Sequence, residues 1–139
     1  HHQNESTIPR VFQMKGSTAM EPILIMRTAV VLLAVAAAGG LAMAGIRFAG
    51  KPHPPTWMAM GHGFIAGAAV TLLVYAYFTV GLPALAQFAL VLFVLAAIGG
   101  VVLNLNYHWK QLPLPKGLMI VHALVAATGF VLLLIAAWT

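Results

Sequence analysis

Cysteine is absent from the 139 residues, and Glu5 and Glu21 are the only two acids. Without thiols there can be no structural disulfide, thiolate-bound zinc, iron–sulfur cluster or haem attached covalently through C-x-x-C-H. Any metal or haem iron must be held by histidine or methionine. The shortage of carboxylates excludes a paired-acid centre for proton transfer, because both acids precede the first long apolar run. No phosphate-binding loop and no nucleophile constellation is present either. The chain thus offers none of the usual constellations of a stand-alone enzyme.

Charge is also scarce, at 6% of residues, whereas hydrophobic residues make up 62%. A soluble domain carries about 25% charged residues, and the mean hydropathy of +0.97 lies far from that class. Four apolar runs account for it: Ile23 to Phe48, Trp57 to Val80, Ala84 to Leu105 and Gly117 to Trp138. Each is long enough to cross a hydrocarbon core of about 30 Å at a rise of about 1.5 Å per residue. The joints KPHPPT, GLP and HWKQLPLPK are rich in proline and glycine, which stop helices and make neighbours antiparallel. The predicted fold is an all-α integral membrane protein, a four-transmembrane-helix bundle formed by residues 21–139. Residues 1–20 lack a helical apolar period and are expected to be a tag or a disordered segment. His1 and His2 would be the tag remnant and Met14 or Met20 the native start; the alternative is a copper site at an amino-terminal His1.

The formal net charge of +5 points to topology rather than to nucleic acid. Arg47, Lys51, Lys110 and Lys116 flank the first and third joints, and the second joint carries no charge. The positive-inside rule makes joints 47–56 and 106–116 cytoplasmic and both termini external, with the bacterial inner membrane as the expected location. Arg27, at the opposite end, is the exception. Trp57 and Trp109 at one boundary, and Tyr75, Tyr77 and Trp138 towards the other, fit interfacial aromatic belts.

The chain also repeats itself. A gapless offset of 60 residues carries His62 onto His122 and Gly39-Gly40 onto Gly99-Gly100, with Pro55 on Pro115 and several alanine and leucine matches. The repeats span about 23–80 and 83–139. Since the unit is one helical hairpin, the two copies insert in the same orientation and are expected to be related by a pseudo-twofold axis along the membrane normal.

An ionisable side chain inside a membrane helix is costly and faces the protein interior. His62 and His122 each lie five residues past the start of their runs, so they share a depth, and the glycine pairs come close to it on the other two helices. This arrangement suits a haem. Two neutral imidazoles on diagonally opposed helices can bind iron from both sides, and glycines spare the room a macrocycle needs. The rows Ala36, Gly40, Ala44 and Ala96, Gly100, Asn104 place that clearance on one face of each helix. Arg47, Lys51, Lys110 and Lys116 could pair with haem propionates. The same glycines also suit plain helix-packing seams, as Gly63-x-x-x-Gly67 does, and the histidines suit a haem-free polar contact or a proton or metal site. His53 and His108 read as solvated loop residues or propionate partners, and Asn104 and Asn106 as helix-end residues or contacts to a quinone headgroup.

These residues resemble the cytochrome b type of membrane haem protein, whose four-helix bundle carries histidine ligands on its second and fourth helices and clearance glycines on its first and third. The resemblance covers a topology and six positions: His62, His122, Gly39, Gly40, Gly99 and Gly100. It implies haem b, electron transport and bis-histidine ligation. One histidine per ligand helix, in place of the family's two, implies a single haem. The expected partners are the lipid bilayer and quinone or another redox protein, with a homo-oligomer or larger complex compatible and no nucleic acid. A second reading is a haem-free structural or accessory subunit of a membrane complex; a third is a small transporter, for which Thr71, Asn104 and Thr128 offer little polar lining.

Overall fold

The computed structural model describes the backbone of residues 7–139 and the side chains of residues 21–139. It is a bundle of four helices: α1 (Thr7–Phe48), α2 (Thr56–Phe78), α3 (Ala84–Val102) and α4 (Lys116–Trp138), with a π-helical turn at Leu103–His108 continuing α3. The stretches Glu21–Phe48, Thr56–Phe78, Ala84–His108 and Lys116–Trp138 are each long and apolar enough to cross a membrane. Of the segment expected to be tag or disordered, residues 1–6 lie outside the described residues. The backbone of 7–20 belongs to α1, which begins upstream of the first apolar run.

α1 packs along α2 and α3 along α4, forming two hairpins, while α1 with α4 and α2 with α3 meet less closely. α2 and α4 therefore share a diagonal. Large apolar side chains remain outside, with Leu41, Phe64 and Phe78 more than 70% exposed. That distribution suits contact with hydrocarbon rather than water.

Burial divides the bundle along its length. One end holds a continuous apolar core in which Leu33, Phe93, Leu73 and Leu133 meet among Ala29, Ala69, Ala86 and Ala89. Small alanines let the backbones approach, so leucines and a phenylalanine fill the space between. Beyond Ala36 and Ala96 the packing loosens. No residue from Thr56 to Ala68, nor from Lys116 to Thr128, is fully buried. Buried positions recur at the 60-residue spacing: Ala29 with Ala89, Leu33 with Phe93, Ala36 with Ala96, Leu73 with Leu133 and Pro54 with Leu114.

Past the loose layer, the two basic joints close on each other. The Leu114 N–H donates to the Pro52 carbonyl at 3.0 Å. Arg47 Nε donates to the Leu114 carbonyl at 2.9 Å, and His108 Nε2 to the Pro54 carbonyl at 2.7 Å. Leu114 and Pro54 are 60-residue counterparts, yet Arg47 and His108 are 61 apart. The π-helical turn accounts for the extra residue, because each π turn accommodates one residue more than an α turn. It rotates His108 into the joint, where it is 4% exposed. His108 is thus a buried structural hydrogen-bond donor rather than a solvated loop residue. Gly50 (φ 112°) and Gln111 (φ 60°) are likewise 61 apart, and each precedes a matching backbone bond, Lys51 to Ile46 and Leu112 to Tyr107.

Replacing the fully buried Leu73 by alanine leaves a cavity in the sealed core and is expected to cost about 2–4 kcal/mol. Leu41→Ala, on the outer surface, is expected to cost under about 1 kcal/mol. Reversible unfolding in mixed micelles measures both; equal losses would contradict the placement of the core.

Candidate functional site: a facing histidine pair

The site is built by α2 and α4, with α1 and α3 supplying its backing. His62 and His122 reach towards each other across the diagonal, their ring centroids 6.3 Å apart and their planes inclined by 73°. His62 Nδ1 lies 2.7 Å from the Ala36 carbonyl of α1. A carbonyl only accepts, so Nδ1 carries the proton and the Nε2 lone pair is left free in the neutral ring. Metal-binding histidines are held in this way, with one nitrogen donating to a carbonyl while the other faces the ion.

The glycines explain how the ring reaches that carbonyl. A Cβ on Gly40 would stand 3.1 Å from His62 Cε1, and one on Gly100 would stand 3.3 Å from His122 Cε1. Gly39 and Gly99 face the same rings, their added Cβ atoms lying 3.9 and 3.6 Å from the nearest imidazole atoms. The room spared by the two glycine pairs is taken by imidazoles. Ala36 and Gly40, one turn apart on α1, form a seat: the glycine provides contact surface and the alanine carbonyl an acceptor. Gly63 and Gly67, by contrast, have no atom within 4 Å of an added Cβ, and they contribute nothing to the pair.

The second half of the pair is less completely satisfied. His122 Nδ1 is buried and has no hydrogen-bond partner. The Ala96 carbonyl, counterpart of Ala36, interacts with it without completing a bond of good geometry.

A metal–imidazole bond is about 2 Å long and the nitrogen lies about 1 Å from its ring centre, so rings on opposite sides of one ion have centroids roughly 6 Å apart. The separation of 6.3 Å in this pair is of that size. Among the described residues no three His, Asp or Glu side chains come together as a metal-binding group. An ion held at this pair would need further ligands from outside the protein side chains, as a porphyrin provides.

The basic residues are distributed unequally. Arg47 is engaged by the Leu114 carbonyl and, at 3.4 Å, by the Lys51 carbonyl. Lys116 Nζ lies 5.3 Å from the centre of the Phe48 ring, while Lys51 lines a cavity between the joints and Lys110 is exposed. Asn104 and Asn106 are exposed on the π-helical turn. The sequence showed Arg47 and His108 but not their shared role as cross-joint donors; an alignment of the repeats with one inserted residue would have paired them.

Gly40→Val is expected to push the His62 ring off its seat and break the bond to Ala36, whereas Gly45→Ala, with nothing within 4 Å, is expected to be silent. Nitrogen NMR of histidine-labelled protein reads this as loss of the His62 Nδ1–H tautomer signal. An unchanged signal in Gly40→Val would contradict the seat. Family models, curated proteins and solved structures all return no match to this chain.

Proposed function

We propose that the chain is a small b-type membrane cytochrome that holds one haem b between His62 and His122 and carries electrons. The observation that carries this reading is the facing pair: two imidazoles from diagonal helices, 6.3 Å between centroids, one already oriented by a backbone carbonyl. The buried, unpartnered His122 Nδ1 and the glycine seats fit the same role. So does the loose packing on either side of the pair, between a sealed apolar core and hydrogen-bonded joints. In this reading the two hairpins are related by a pseudo-twofold axis along the membrane normal, supported by the burial pattern that recurs every 60 residues. The basic joints face the cytoplasm, in a bacterial inner membrane.

Each residue has a definite task. His62 and His122 would hold the haem iron through their Nε2 lone pairs; the Ala36 carbonyl orients His62 and makes its ring a stronger donor. Gly39, Gly40, Gly99 and Gly100 let the rings lie against α1 and α3 at the depth where the helices can open. Lys110 and Lys116 lie at the same end and can meet propionates, with Arg47 contributing charge while it braces the joints. When bound, haem supplies a one-electron couple. The apolar helices around the pair would lower the local dielectric, which tunes the potential. The partner in transfer is a quinone or another redox protein.

Protein purified from haem-replete cells, or supplied with hemin, is expected to show a sharp Soret band and, when reduced, the split visible bands of low-spin haem. His62→Ala and His122→Ala should each abolish that spectrum. Colourless protein that does not respond to hemin would leave the haem-free subunit as the reading. Colour surviving both substitutions would remove these residues as ligands.

A further inference from the structure

Haem binding does not account for the cavity at the joint end. This cavity, about 310 Å³ in volume, has an apolar wall of Ile46, Pro54 and Pro55 and a polar wall of Lys51, His53, Thr56 and Gln111. The polar wall is rich in donors: an ammonium, an amide, a hydroxyl and an imidazole. Among the described residues Glu21 is the only acid, and it lies at the far end of the membrane-length part of α1. Arg47, Lys110 and Lys116 add positive charge around the joints. The field inside the cavity is therefore positive, with no carboxylate to neutralise it.

The frame of the cavity is fixed in advance. Gln111 comes from one joint and the other lining residues from the end of α1, the other joint and the start of α2. The joints are tied by the Leu114–Pro52, Arg47–Leu114 and His108–Pro54 hydrogen bonds. A ligand here would not have to order the loops, which removes a usual cost of binding.

Gln111 provides a second, independent indication. Its φ of 60° is left-handed, and the corresponding turn in the first hairpin uses Gly50. A residue with a side chain pays free energy for that conformation whereas glycine does not, and such strain concentrates at ligand clamps. The Gln111 amide is only weakly engaged, 3.4 Å from the His108 carbonyl. It is available to a guest.

We propose that this cavity binds the phosphate of an anionic phospholipid, with Lys51 and Gln111 as the principal donors and Thr56 and His53 completing the set. The lipid source is favoured by depth and by the apolar wall. Trp57, next to Thr56, is 75% exposed, and tryptophan is concentrated at headgroup level. Ile46 and Pro55 give the glycerol portion an apolar surface. The inference uses the membrane-spanning fold and is independent of haem.

The test uses the full chain in nanodiscs of phosphatidylcholine alone, phosphatidylcholine with a minor fraction of phosphatidylglycerol, and phosphatidylcholine with inorganic phosphate in the buffer, each with and without hemin. Thermal unfolding and native mass spectrometry of retained lipid are the readouts. Wild-type protein is expected to gain thermal stability and retain lipid with phosphatidylglycerol only, whether or not hemin is present. Lys51→Gln should lose both effects and Lys110→Gln, outside the cavity, should keep them. Gln111→Gly is the decisive variant, since relief of the left-handed strain should leave it at least as stable as wild type in phosphatidylcholine while the phosphatidylglycerol effect is lost. Persistence of that effect in Gln111→Gly and Lys51→Gln would overturn the proposal, as would equal losses in Lys51→Gln and Lys110→Gln. The same gain from inorganic phosphate would overturn the lipid assignment, and a gain confined to hemin-free protein would identify the natural anion as a haem propionate instead.

Discussion

An imidazole inside an apolar bundle must find a partner for its N–H, because hydrocarbon offers none. In this protein His62 finds it in the Ala36 carbonyl, a group already engaged in the α1 helix but with a second lone pair to spare. The bond is possible only because Gly40 lets the ring lie against α1 one turn away. It fixes the tautomer and leaves the ring with its centroid 6.3 Å from that of its counterpart on α4. The close pairing of α1 with α2, and of α3 with α4, serves the same end: each hairpin carries an imidazole and the surface that supports it.

The layers above and below keep that pair in register. On one side the leucine, phenylalanine and alanine core joins all four helices and resists sliding, since close-packed side chains cannot shift without opening voids. On the other, the cross-joint bonds of Arg47 and His108 brace the hairpins without filling the middle. Close packing at both ends with looser packing between is what the proposed haem site would need. The ends set the separation of the helices, and the middle can adapt to what is held there. Sealing the middle with larger side chains would give a stabler bundle and a poorer site.

The four helices were legible from hydropathy and length, because no other element satisfies its backbone in so apolar a chain. The pairing of His62 with His122 was legible from the repeat, since two helices that run the same way from equivalent joints bring residues at equal distance from those joints to equal depth. Other features were hidden. A gapless offset of 60 set His108 against Phe48, so its true counterpart Arg47 and their shared bracing role went unseen. The π-helical turn responsible has no signature in composition. The glycines were read as clearance for a macrocycle, whereas their immediate neighbours are the imidazoles themselves. Depth can be counted along a sequence, but the direction in which a helix turns its small residues cannot be fixed to better than a neighbouring face.

The central claim is that His62 and His122 act together on one metal centre. Low-temperature electron paramagnetic resonance of the hemin-titrated protein tests it most directly, because the spectrum distinguishes two axial imidazoles from one and the titration gives stoichiometry. A rhombic or highly anisotropic low-spin ferric signal of the bis-imidazole class, saturating at one haem per chain, is expected. A high-spin signal, or saturation at one haem per two chains, would contradict it.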